Sequence, residues 1–414
     1  MIQQIAQPQR ITDYKLADFC ESDSSGEHFV GIEFSNELNH PIVRLPLGFP
    51  DPKQLSNSQL RNAISMLIRV ILSVKKEEPS EQLEDQSGKD NVDYPFDAYR
   101  RMILDYVNNG FIREPERRES YSGNGRIDWA KTLRKAQPLW TEKGPVHLNP
   151  IRVNTIYSHQ DLMQIQKYCL MLADLQVGWL FGRNIPIKLE WSQAKLVWAR
   201  NKVDLYKRQT YDGRISKVLR SMSVILSRQI DLGDSNKTDG NYKIALEGNS
   251  NVGRMWEKMV ERVFGSGEHR KYKPLAKWNL DGGISPAKSP LELDSIRFDL
   301  VDKNMICTVI DAKYHRYLPS TSDINKQITY AEWVAKKHEL EGTDLVVNNL
   351  FILPEKIPDP PHHNYLGFAT MDILEDPNKP YHKVHAKKVD TLTLMRAYLQ
   401  NDKSISKDFF DDLL

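Results

Sequence analysis

Asp294, Asp311 and Lys313 are the residues of this sequence whose types and spacing best suit a single chemistry. Asp311 and Lys313 follow Ile306-Cys-Thr-Val-Ile310, a run suited to burial on both faces and so to a central strand. In an extended chain, residues two apart point to the same side. An upstream strand, 293–301, leads into Asp302-Lys303-Asn304, a good turn, so the two runs should fold back as a hairpin. Reflection through Lys303 sets Asp294 opposite position 312, beside Asp311 and Lys313. Two carboxylates so placed repel and lose hydration unless a cation lies between them. Mg²⁺ suits such a pair, with Mn²⁺ as a substitute, because it takes a few carboxylates plus water and phosphate oxygen. Lys313 would orient or deprotonate a water, or stabilise charge developing on phosphorus. Such an arrangement would suit metal-dependent phosphodiester hydrolysis. Asp-x-Lys alone is uninformative: Asp13-Tyr-Lys15 and Asp51-Pro-Lys53 repeat it without a preceding apolar strand, and a surface ion pair is the plain alternative.

Other residues qualify as helpers or competitors. Glu257 lies on a helix ahead of the hairpin, beside the apolar stripe Met255, Trp256, Met259, Val260 and Val263, and is a candidate third metal ligand. Glu261 is the fallback on the same flank. Asp299 competes with Asp294, but it should pair near position 307, deeper in the hairpin and farther from Asp311. The cluster His362, His363, His382 and His385 is broken up by prolines and reads as a polar loop. Gly248-Asn-Ser-Asn-Val-Gly253 lacks the Lys-Ser/Thr of a phosphate-binding loop, so no bound nucleotide is expected.

Positioning these residues requires an alternation of strands and helices. Strands are expected at 27–34 and 42–47, and a helix capped by Ser56 or Ser58 carries Leu60, Ile64, Leu67, Ile68, Ile71 and Leu72 on one face. Residues 75–95, with seven acids and little to bury, read as a long surface loop. A helix from Pro95 stops at Asn108-Asn109-Gly110, 111–150 looks irregular, and a helix capped by Ser158 covers 161–181. Two helices should meet near Asp212-Gly213. After a polar linker at 232–242, the order is helix, hairpin, helix, strand, strand, helix. The expected fold class is α/β (α+β), a C-terminal mixed sheet flanked by helices behind a mixed N-terminal part. The expected regions are 1–150, an α+β region for partner docking or DNA recognition; 151–235, a basic helical segment; and 240–414, holding the site. Asp408, Asp411 and Asp412 beside Phe409 and Phe410 read as a frayed acidic end.

The whole chain has 414 residues and a net charge of +2, which conceals an uneven distribution. Residues 195–228 hold nine Lys or Arg against two Asp, with Trp198, Tyr206 and Tyr211 interleaved. Lys207, Arg208, Arg214, Lys217 and Arg220 from this segment are the DNA-binding candidates, since phosphate contacts release counterions. A solvated helix face is the plain alternative. Arg113, Arg117, Arg118, Arg126, Arg134 and Lys135 form a looser second group. Three scattered cysteines, no secretory signal and no long apolar run predict a cytoplasmic protein with no membrane contact.

Asp294 followed by Val309-Ile310-Asp311-Ala312-Lys313-Tyr314 resembles the core of PD-(D/E)xK nucleases, and the form Ile-Asp-Ala-Lys-Tyr resembles McrC-type subunits of modification-dependent restriction systems. Arg126-Ile-Asp-Trp129 with Lys131-Thr-Leu, and Ile156-Tyr157 after a Pro-containing segment, resemble the LlaJI branch of restriction endonucleases. The resemblance implies a Mg²⁺-dependent endonuclease subunit acting on double-stranded DNA in host defence, with a restriction-endonuclease-like C-terminal fold and a separate McrB-type AAA+ GTPase as partner. It implies metal binding by Asp294, Asp311 and Glu257, and catalysis by these with Lys313. Two departures stand out. Leu293 replaces the proline often found before the first Asp, and Gln327 and Tyr330 are three apart where the family often has a Gln and a Tyr four apart. Three apart is still one helix face, so site support by both remains open. A stand-alone type II enzyme, a structure-specific repair nuclease and a non-catalytic DNA-binding subunit are the alternatives.

Overall fold

The computed structural model describes residues 15–22, 29–34, 41–77, 94–112, 115–121, 126–157, 160–183, 189–233, 242–280, 283–286, 290–302, 304–342, 345–371, 376 and 379–413. The chain forms two compact units, one holding Pro95–Asp239 and the other Asp13–Tyr94 with Gly240–Leu414. The mixed α+β class is as expected, but the chain divides differently from the three regions anticipated. The reason is strand pairing. Phe29–Phe34 lies antiparallel to Tyr242–Glu247, with Phe29 opposite Glu247 and Phe34 opposite Tyr242. Hydrogen bonds between residues over two hundred positions apart leave no local trace in the sequence.

The second unit contains the proposed chemistry. Its five-stranded sheet begins with an edge strand, Ser295–Val301, antiparallel to the central strand Asn304–Ala312. The central strand is parallel to Leu345–Glu355, which is parallel to Val384–Asp390, and His363–Ala369 closes the far edge antiparallel. A crossover helix, Thr321–Leu340, links the first parallel pair, since such strands need a long connection. Ser320 caps this helix reciprocally with Asp323: the Asp323 N–H donates to Ser320 Oγ, and the Ser320 N–H donates to Asp323 Oδ2 at 2.9 Å. One core cluster joins Ile296, Cys307, Val309 and Val347 of the sheet to Tyr330, Ala331 and Val334 of the helix.

The leading helix, Gly248–Phe264, buries Met255, Trp256, Met259, Val260 and Val263, as its spacing predicts. The Trp256 indole N–H donates to the Ile352 carbonyl at 3.1 Å, fixing helix to sheet. Phe264, at the helix end, stacks on Phe409 with ring centroids 4.2 Å apart. Phe409 and Phe410 are fully buried, so the frayed C-terminal end expected from the sequence is instead an apolar anchor with an acidic rim.

A smaller sheet orders Cys20–Ser22, Ile42–Leu45, Phe29–Phe34 and Tyr242–Glu247 side by side. The helix Asn57–Glu77 follows, with Ser56 and Gln59 exchanging hydrogen bonds at its start. It buries Leu60, Ile64, Leu67, Ile68 and Ile71. Lys75–Glu77 remain helical, and most of the long loop expected beyond lies outside the described residues.

The first unit combines the helices Phe96–Asn109, Gln160–Val177, Gln193–Gln209 and Gly213–Asp231 with a three-stranded sheet of Pro115–Ser120, Arg152–Tyr157 and Arg126–Ile127. Gly110 ends the first helix at φ +70°, a conformation natural to glycine. Ser158, expected to cap the second, lies outside the described residues. Asp212 caps the last helix by accepting from the N–H groups of Arg214 and Ile215. The stretch 111–150, irregular by sequence, contains short strands and the helix Trp129–Lys135.

Candidate active site

The edge strand and the central strand meet in register, with Ser295 opposite Ile310 and Val301 opposite Asn304. The pairing therefore centres half a residue ahead of the position expected by sequence. Continued by one position, the register sets Asp294 opposite Asp311 rather than 312. Cross-strand partners share a face of the sheet, so the two carboxyl groups face the same way. The Ala312 N–H donates to Asp294 Oδ2 at 3.0 Å, which fastens the first acid to the strand carrying the second.

The electrostatics of this pair are those of acids crowded without enough counter-charge. Burial, the Asp311 charge and a hydrogen bond shared with Asp311 hold the Asp294 carboxyl well above the usual carboxylate range, with Glu257 adding to the repulsion. Glu257, on the leading helix, is also pushed up, first by burial and then by Asp311. Lys313 Nζ lies 2.9 Å from Asp311 Oδ2 and 3.0 Å from Asp323 Oδ1. Burial opposes the Lys313 charge, but the two carboxylates outweigh it and push its ammonium above the ordinary lysine range. Lys313 is therefore a fixed cation and hydrogen-bond donor.

The competing acids are engaged elsewhere. Asp299 sits opposite Ile306, one residue from the expected pairing, and makes a two-pronged ion pair with Arg297 at 2.6 and 2.8 Å. Arg297 in turn covers the Phe410 ring at 4.3 Å. Glu261 contacts Lys258 at 3.6 Å and His269 Nδ1 at 3.1 Å. Among the described residues, no three His, Cys, Asp or Glu side chains form a ready metal-ligand set. The donors that fit Mg²⁺ are thus two carboxylates, Asp294 and Asp311, which suffices for an ion that keeps several waters and takes phosphate oxygens from its substrate. Glu257 is near enough to feel the Asp311 charge without completing a three-acid set.

Comparison with known proteins turns this geometry into a family. Residues 49–395 match the family described as LlaJI restriction endonuclease. The chain belongs to the LlaJI restriction endonuclease family. That span takes in the acid pair, Lys313, and the sheet that carries them. None of the curated proteins matches the chain. Among solved structures, one match is a chain in a half-complex from the tetradecameric assembly of Thermococcus gammatolerans McrB AAA+ hexamers with bound McrC, at 13% identity and a TM-score of 0.31, covering 94% of this chain and 83% of the matched chain.

The remaining candidates of this LlaJI-family chain separate by their partners. Gln327 is buried, and its Nε2 donates to the Val309 carbonyl of the central strand at 2.9 Å. Its contact with the site runs through the strand backbone. Tyr330 is buried in the sheet–helix core beneath the same strand. Both line the helix face turned to the sheet.

In the first unit, Arg208, Lys217 and Arg220 are exposed and form no ion pair among the described residues. Lys207 is paired with Asp204 at 3.4 Å. Arg214 contacts both oxygens of the buried Asp105 at 3.1 and 3.2 Å, tying the helix Gly213–Asp231 to Phe96–Asn109. The Asp-Trp stretch that marks the LlaJI branch builds a local fold. Asp128 accepts from the Lys131 N–H, the Thr132 hydroxyl donates to the Asp128 carbonyl, and Thr132 Oγ1 accepts from the Ile151 N–H. The histidines do not converge: His385 Nδ1 bonds the Tyr365 hydroxyl, and His362 Nδ1 faces the Ile357 carbonyl.

Asp323 is a site residue that the sequence reading misses. Its signal is present as Ser320-x-x-Asp323, a capping box placing an acid in the first turn of the helix after Lys313. Tyr314 enters that reading only as part of a pattern. Its hydroxyl accepts the Leu47 N–H at 2.7 Å, while Thr391 Oγ1 donates to the Leu47 carbonyl at 2.8 Å. No helix among the described residues is long and apolar enough to cross a membrane.

Proposed function

We propose that this chain is the endonuclease subunit of a restriction system and hydrolyses DNA phosphodiester bonds with Mg²⁺ on a PD-(D/E)xK core. Family membership supports the restriction-system nuclease. The observation that carries the chemistry is the pair of half-buried Asp294 and buried Asp311, with Lys313 bonded to its second member. Mg²⁺, when bound, would neutralise the pair, polarise the scissile phosphate and acidify a water. Asp294 and Asp311 hold it, with Glu257 acting through water. Lys313, paired with Asp323, donates to the phosphate oxygen on which charge develops. Its ion pair with Asp323, which lies outside the acid pair, fits charge stabilisation better than removal of a proton from water.

Double-stranded DNA is the proposed substrate, with Arg208, Lys217 and Arg220 meeting its backbone. A McrB-type AAA+ GTPase is the proposed partner. Support for it is the sequence resemblance to McrC-type subunits and the lack of a Walker A motif in the chain. Plasmid cleavage by the purified chain with Mg²⁺, with and without that GTPase and GTP, tests the assignment. Cleavage only with the partner and GTP supports the subunit reading, and cleavage without them supports a stand-alone enzyme. No cleavage under either condition contradicts nuclease function.

A further inference from the structure

Lys313 stands between two carboxylates that come from different elements and have different neighbours. Asp311 is the penultimate residue of the central strand and lies beside Asp294. Asp323 opens the crossover helix, and its two oxygens have separate duties. Oδ2 accepts from the Ser320 N–H at 2.9 Å and from Ser320 Oγ at 2.6 Å, and Oδ1 faces Lys313 Nζ at 3.0 Å. The capping box thus orients the carboxylate that holds the lysine. The consequence follows from charge. Were a cation bound by Asp311, that carboxylate would hold Lys313 less, and the cation would repel the ammonium. A long, rotamer-rich side chain with one anchor released would swing to solvent. Asp323 lies outside the acid pair and keeps its charge: burial works against its ionisation, yet Ser320 and Lys313 bring it down to about 2.

We propose that Asp323 is a positioning residue that keeps the Lys313 ammonium at the acid pair, and that the reaction depends on its charge rather than on its part in the helix cap. The inference rests on the nuclease reading given above. Asp323 touches Lys313 and Ser320, and its effect on the reaction runs through the lysine.

Glu and Gln at the third helical position both complete a capping box with Ser, and only Glu carries charge. The test therefore compares full-length Asp323→Gln and Asp323→Glu with wild type in single-turnover plasmid cleavage, under the conditions in which wild type cuts. Asp323→Gln should lose tenfold or more in the saturating rate. Its half-saturating DNA concentration and melting temperature should stay near wild type. Asp323→Glu should keep at least a third of the rate. Crystal structures add a readout independent of activity: Lys313 Nζ should stay bonded to residue 323 in the Glu variant and leave it in the Gln variant. If Asp323→Gln does not fold, Asp323→Asn replaces it. A Gln variant within twofold of wild type overturns the inference. So do Gln and Glu variants that fall together with their melting temperatures, which would be the mark of a cap alone. Asp311→Ala separates the two levels. If it cuts like wild type, the nuclease site itself is misassigned. If it is inactive while Asp323→Gln is fully active, only the role of Asp323 fails.

Discussion

The Ala312 N–H donates to Asp294 Oδ2 at 3.0 Å, so the acid preceding one strand is bound to the backbone of the strand bearing its partner acid. This bond fixes the distance between the acids more tightly than the hairpin register could, because Asp294 lies just outside the paired residues. It also opposes protonation of Asp294, but burial and the neighbouring Asp311 outweigh it.

A metal-free fold holding such a pair bears a cost that a neutral side chain removes. Asp294 has a folded-state pKa above its unfolded value, so its contribution to stability is present at low pH and is lost as pH rises through the folded value. Asp294→Asn should therefore raise the melting temperature of the metal-free protein at pH 7–8 while abolishing cleavage. Thermal unfolding in EDTA checks this. A lower melting temperature would mean that the acid pair is not strained.

Much of this site is legible in the sequence because it is local. Strand, turn and strand lie within twenty residues, and apolar residues before Asp311 place it at the end of a buried strand. The register differs by one position from expectation, since a turn of three polar residues does not disclose which bond is its centre. The grouping of Asp13–Tyr94 with the C-terminal half is invisible in the sequence, because it rests on pairing with Tyr242–Glu247 and on hydrogen bonds to Leu47 from elements far along the chain. Asp323 escapes notice because a capping acid usually has only a structural duty.

Tyr314→Phe tests that long-range fastening. Removal of the hydroxyl leaves the buried Leu47 N–H without its acceptor, which costs about 1–3 kcal/mol. Denaturant unfolding should show a lower midpoint with an unchanged slope. No loss of stability would mean that this bond does not fasten Leu47 to the second unit.

The basic helices divide into two kinds of arginine. Arg208→Glu, Lys217→Glu and Arg220→Glu together should weaken DNA binding and reduce its salt dependence, by about 0.9 in log–log slope for each phosphate no longer neutralised. Arg214→Ala should instead destabilise the fold by about 1 kcal/mol or more, since it leaves the buried Asp105 without its charged partner and with only the Asn109 amide bond. Fluorescence anisotropy across a salt series, with thermal melts alongside, reads both effects. An unchanged salt slope in the triple variant would return that face to solvent.

His385 gives a pH signature away from the site. Burial, with Lys383 and Lys387 nearby, lowers its pKa below the usual histidine value. The fold favours the neutral ring, so its contribution is complete above about 6.5 and declines as pH falls through the folded value. Wild type should lose more stability than His385→Gln between pH 7 and 5. Parallel losses in the two proteins would show that this ring does not sense its surroundings.

Cleavage of plasmid DNA by Asp311→Ala, compared with wild type in Mg²⁺ with the AAA+ partner and GTP supplied, bears on the central claim most directly. The acid pair predicts a loss of at least a thousandfold in cleavage with DNA binding retained, on the order of 4 kcal/mol in the barrier. Cleavage at the wild-type rate would contradict it.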